Sequence, residues 1–218
     1  MAAATISMLS QVGTSSLMVR ALLYCVAWGL KGLVLTKTVT VVQQLFTLAG
    51  GTIIFIWAFL SWAGINLHIE EQQYTPLEAD VLAAIAETGL EPGMYAMGQG
   101  SPEGGEEAKW ADWVENFQDK PWGVLNYQAS NEMTFGMNLF RGFSIDLIIA
   151  FLLFSLMSKV NASSLKEVLI VTLTIGFIAF LIEDYSGYIW FKSPGIMAHL
   201  IDAVVPWSLL GLVYWKMK

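Results

Sequence analysis

The chain has 218 residues, of which 56% are hydrophobic and 13% charged, with a mean hydropathy of +0.58. That composition excludes an ordinary soluble domain and predicts an integral membrane protein whose first partner is the lipid bilayer. The net charge of −7 gives no support to a nucleic-acid partner, and its meaning depends on where along the chain the charges fall.

The N-terminal segment, residues 1–40, contains LMVRALLYCVAWGLKGLVL at 17–35. Arg20 and Lys31 return to one face at about 100° per residue. Only ten uncharged residues separate them, too few to span a bilayer. An amphipathic helix lying in the cytoplasmic interface is expected here. Cys25 is the single cysteine, so there is no disulfide framework and no CxxC or haem-attachment signature.

The first predicted span is 45–66. After it, residues 67–137 carry thirteen Asp or Glu against only Lys109 and Lys120. Lysines cluster instead before the first span (Lys31, Lys37), between the second and third (Lys159, Lys166) and after the last (Lys216, Lys218). The positive-inside rule then puts both termini in the cytoplasm and 67–137 outside.

Within that acidic segment, TPLEADVLAAIAETG predicts a helix over 76–88, with Thr75 as N-cap, Pro76 in the first turn, Glu78 closing a capping box and Gly89 as the stop. Its stripe of Leu77, Val81, Leu82 and Ile85 is expected to cover a small sheet. The strands of that sheet are predicted at 93–97 and 123–127, and a second short helix around 106–117. There Trp110, Trp113, Val114 and Phe117 recur at helical spacing, as a packing face or an interfacial aromatic anchor.

Three further spans are predicted at 138–158, 165–190 and 196–215. Between Glu167 and Glu183 lie 15 uncharged residues, about 22 Å of helix, so the third span must draw its carboxylates inward. The fold class expected is an all-α, four-helix membrane bundle with a small α+β extracytoplasmic domain inserted between helices 1 and 2.

The ionisable residues inside these spans converge on one level. Arg141 lies about one turn in, Asp146 about 12 Å, His199 about 5 Å and Asp202 about 9 Å from the outer side; Glu183 and Asp184 reach the same layer from below. A charge at a helix centre costs roughly 2.5–3.5 kcal/mol, and one arginine and one histidine cannot pair four carboxylates. Two readings stay open. Glu183 and Asp184, followed by Tyr185, Tyr188 and Trp190, can mark the aqueous boundary while Arg141 pairs with a carboxylate to fix helix packing. Alternatively Asp146, Glu183, Asp184, His199 and Asp202 form a metal or proton site, beside an acceptor carbonyl freed by a kink at Pro206. The cofactor is left open: histidine with carboxylates suits a metal ion, whereas haem or another tetrapyrrole on His68 or His199 has no motif behind it. No nucleophile elbow or phosphate loop is present, so a membrane-embedded enzyme ranks third, behind a subunit and a cation- or proton-binding protein, and the question of an activity stays open.

The order of parts, with EPGMY after the outer helix and YIWF followed by Asp202, Trp207, Gly211 and Leu212 in D-x4-W-x3-GL spacing, resembles a group of small bacterial four-span membrane proteins. The likeness covers roughly residues 45–215 and implies the bacterial inner membrane, but no activity. The leading expectation is an accessory or scaffolding subunit docking with other membrane protein subunits. The small residues Ala49, Gly50 and Gly51 would allow the close helix approach this requires. The alternative is a cation-binding or proton-handling protein.

Overall fold

The computed structural model describes residues 41–101, 103–132 and 134–218; the interfacial helix expected over 17–35 lies outside them. Four helices are long and apolar enough to cross a bilayer, Val41–Gly64, Phe135–Met157, Leu165–Phe191 and Ile196–Met217. Their ends fall within about one turn of the predicted spans. The chain is therefore a multi-pass membrane protein, mostly helical, with a small two-stranded sheet between its first and second spans.

The first span is α1 (Val41–Phe59), ending in a π-turn over Leu60–Gly64. A 3-10 turn at Ile69–Glu71, α2 (Glu78–Glu87), β1 (Gly93–Met97), α3 (Glu106–Asn116) and β2 (Gly123–Tyr127) make up the connecting segment. The second span is α4 (Phe135–Met157). The third runs through α5 (Leu165–Phe180), a π-turn over Leu181–Tyr185 and α6 (Ser186–Phe191), and the fourth is α7 (Ile196–Met217).

Inside the bundle α1 packs along α4, α5 along α7, and α1 also touches α7. Small residues set these approaches, as close packing between membrane helices requires. A methyl on Gly51 would lie 2.9 Å from the Leu147 Cα, and one on Gly50 3.0 Å from the Ala150 Cβ and from Leu210. Gly50 and Gly51 are thus used within this chain, not left for a partner subunit. On the other helix pair, Gly176 faces Trp207, and a methyl on Gly211 would come 2.7 Å from the Thr172 hydroxyl.

The buried apolar core lies toward one end, where Phe46, Leu153, Met157, Val168, Leu210 and Tyr214 meet. Phe46, Phe154 and Tyr214 form a ring cluster with centroids 5.4–5.9 Å apart. The connecting segment emerges from the opposite end, the domain end.

That segment has the predicted strands, paired antiparallel from Gly93↔Tyr127 to Met97↔Gly123. Its first helix begins two residues later than expected, at Glu78. Thr75 instead closes a local turn, its hydroxyl accepting from the Leu77 N–H at 3.3 Å, a competing use of Thr side chains near helix starts. The stripe at α2 is mostly open: Leu77, Val81 and Leu82 remain 59%, 49% and 51% exposed, and only Ile85 is partly buried. Among the described residues from 69 to 137 none is buried, so this segment has no core of its own.

Candidate metal centre

The domain end gathers the polar residues. Two irregular stretches make this possible. The π-turn at Leu60–Gly64 ends the first span and rotates Ser61 inward, and Asn66 at φ 57° reverses the chain. The 3-10 turn that follows then presents His68 and Glu71 back toward the bundle. The π-turn at Leu181–Tyr185 does the same for Asp184 in the third span. Single π-turns inside helices are often found at functional sites because they re-aim side chains that a regular helix would misdirect.

His68 is fully buried, its ring stacked on Trp62 with centroids 3.9 Å apart and planes 2° from parallel. Its Nδ1 lies 2.6 Å from Glu71 Oε1, and its Nε2 lies 2.9 Å from Asp202 Oδ2 and 3.2 Å from Ser61 Oγ. Asp202 is held on its other oxygen by the Trp57 indole N–H at 2.9 Å and the Ser61 hydroxyl at 2.8 Å. A carboxylate with three partners can be tolerated at a depth where an isolated one could not.

His199, in the first turn of α7, mirrors this arrangement. Its Nε2 lies 3.1 Å from the same Glu71 Oε1, and its Nδ1 3.0 Å from Asp184 Oδ1. Glu71 Oε1 is therefore the common point of two imidazoles. Each imidazole has its remaining nitrogen on a different aspartate.

Burial disfavours charge on His68, but the hydrogen bonds and charges of Glu71 and Asp202 outweigh it and raise its pKa above the ordinary imidazole value. Glu70 completes the turn: its carboxylate accepts from the Gly195 N–H at 3.1 Å, placing negative charge at the start of α7 where the helix dipole favours it.

His68 Nδ1, Glu71 Oε1 and His199 Nε2 can serve as a ligand set, their donor atoms lying within 4.8 Å of one another. Two imidazoles and a carboxylate suit zinc, copper or iron(II). The carboxylate behind each ligand nitrogen, Asp202 on His68 and Asp184 on His199, is the usual means of fixing tautomer and ring direction in such sites. A tetrahedral ion with ligand bonds of about 2.0–2.1 Å requires donor atoms roughly 3.3 Å apart. The 2.6 and 3.1 Å separations are those of imidazole–carboxylate hydrogen bonds, so an ion entering between the three atoms would have to spread them.

Of the residues singled out from sequence, the structure brings Asp184, His199 and Asp202 together. Glu183 shares the π-turn with Asp184 but is exposed, and Asp146 is half-buried in α4; among the described residues no hydrogen bond or ion pair joins either to the cluster. Arg141 is exposed and makes no ion pair with a described carboxylate. Pro206 is buried one turn beyond Asp202 inside a helix that runs on to Met217. The rings of His68 and His199 meet edge to face with centroids 4.9 Å apart, leaving no slot for a macrocycle between them.

Sequence reasoning missed Glu71, Ser61 and Trp57, and considered His68 only as an outer residue and a tetrapyrrole ligand without a motif, not as a partner of the acids. The legible signal was His68 and Glu71 three apart, just past the end of a span and level with the start of the fourth.

Fold and cluster together define a multi-pass membrane protein with a two-histidine, one-carboxylate group at one end of its bundle. No family model matches the chain, and no curated protein or solved structure matches it either.

Proposed function

We propose that this protein binds a divalent transition metal, zinc foremost, at the extracytoplasmic side of the bacterial inner membrane. His68, Glu71 and His199 are the ligands in this reading, with a fourth position open to water or a donor atom of an incoming molecule. The observation that supports it is the doubled arrangement in which one nitrogen of each histidine meets Glu71 while the other meets its own aspartate. Three ligands with one free position is the pattern of reactive zinc sites, whereas structural sites close all four. Glu71 and His199 keep side-chain exposures of 22% and 23%, enough for an ion to enter from the domain end.

The test is metal analysis of protein purified without chelator and then titrated with zinc. The reading expects about one zinc per chain in the wild type and loss of binding in His199→Ala. Equal zinc content in both would overturn it.

A second reading, an accessory subunit of a larger membrane assembly, is supported by the coreless connecting segment, whose Trp110 and Trp122 are 65% and 53% exposed. Such a segment gains stability from a neighbour. Purification in mild detergent distinguishes this reading: it expects other membrane proteins in stoichiometric amounts, and a monodisperse single chain contradicts it.

A further inference from the structure

Lys109 and Lys120 are the only lysines or arginines of the 67–137 segment, and both line one cavity of about 770 Å³. Among the described residues neither makes an ion pair, although thirteen acids share their segment. The cavity lies between α3, the turn leading into β2 and the end of the third span. Its walls include Trp110 and Trp113, whose rings stack at 5.0 Å, and Trp190, the penultimate residue of that span and 73% exposed. Glu106 and Asp119 also line it.

The charges and rings of this lining narrow the kind of occupant. Trp190 and Phe191 close a membrane-crossing helix, so the cavity opens at the headgroup level, where tryptophan rings are favoured. An anion alone would meet Glu106, Asp119 and the field of the acidic segment. A cation alone would leave both lysines unanswered. A group carrying both charges satisfies the lining, with a phosphate against the two ammonium groups and an amine against the two carboxylates and an indole face.

We propose that the cavity holds the headgroup of a zwitterionic aminophospholipid from the adjoining leaflet. The lipid would supply the support that the connecting segment lacks. This site is separate from the metal-binding reading and does not depend on it.

Native mass spectrometry of the full chain in detergent tests the proposal, with phosphatidylethanolamine, phosphatidylglycerol and soluble glycerophosphoethanolamine as probes. One equivalent of phosphatidylethanolamine should be retained about tenfold more tightly than phosphatidylglycerol. Lys120→Gln combined with Trp110→Ala, both exposed positions, should remove about tenfold of that preference; Lys109→Gln gives an independent variant. Phosphatidylglycerol binding as well as phosphatidylethanolamine, or a preference unchanged in both variants, would overturn the assignment. Soluble headgroup binding as tightly as the lipid would overturn the membrane source.

Discussion

One oxygen atom, Glu71 Oε1, organises the polar end of the molecule, because both imidazoles point at it. Glu71→Gln keeps the shape and removes the charge, and should lower zinc affinity at least about a hundredfold, as measured by competition with a chromophoric chelator. Asp202→Asn leaves all three ligands in place but loosens His68; a loss of about 10–100-fold is expected. Glu183→Gln and Asp146→Asn should change zinc affinity by less than about twofold. Acidity acts in two directions on His68. Its raised pKa means that, in metal-free protein, its ion pairs contribute stability in full below the unfolded imidazole pKa of about 6.5. That contribution is lost as pH rises through the higher folded value. Zinc needs the deprotonated ring, so the rise in melting temperature on adding zinc should be larger at pH 8 than at pH 6, and an equal rise at both contradicts this. Asp184, Asp202 and His199 were legible from sequence because charge inside an apolar helix is conspicuous, but the same signal also picked out Glu183 and Asp146, which stand apart from the cluster. Glu71 was not, since an acid in an acidic loop looks solvated until the chain is seen to fold back.

At the scale of elements, the site depends on two π-turns and one glycine. Gly195 takes φ +76° at the start of α7, and a methyl there would fall onto the Glu71 carboxylate. Gly195→Ala should therefore cost about 1–2 kcal/mol of backbone strain and also push Glu71 off the histidines, visible as weakened zinc binding. Gly176→Ala is a useful contrast. It collides with Trp207 at the α5–α7 crossing and should destabilise the bundle by about 1–3 kcal/mol while leaving one zinc site per folded chain. Spans and strands could be read from sequence because long hydropathy runs, and short apolar runs opened by glycine at Gly93–Met97 and Gly123–Tyr127, are local signals. The π-turns could not, since nothing in LSWAG or LIEDY distinguishes them from ordinary helix until the packing between helices is known. The start of α2 was misread because Thr75 had two local hydrogen-bonding options and the sequence does not choose between them.

As a whole the molecule is divided. An apolar, aromatic core ties the four helices together at one end, and a charged cluster ties the first, third and fourth spans to the connecting turn at the other. Separating a dry scaffold from a polar site lets the site be altered without unfolding the bundle, which is why single substitutions there are informative. The accumulation of Lys residues away from the 67–137 segment supports an outward-facing domain end. In a Cys25→Ser background, a cysteine at Ser101 should react with a membrane-impermeant maleimide added to intact cells, and one at Ser163 should not; the reverse pattern would invert the topology. The central claim is that one metal ion sits among His68, Glu71 and His199. Anomalous diffraction at the zinc edge, from crystals grown with zinc, tests it most directly. The account predicts a single peak about 2.0–2.2 Å from His68 Nδ1, Glu71 Oε1 and His199 Nε2. No peak there, or one on Glu183 or Asp146 instead, would contradict it.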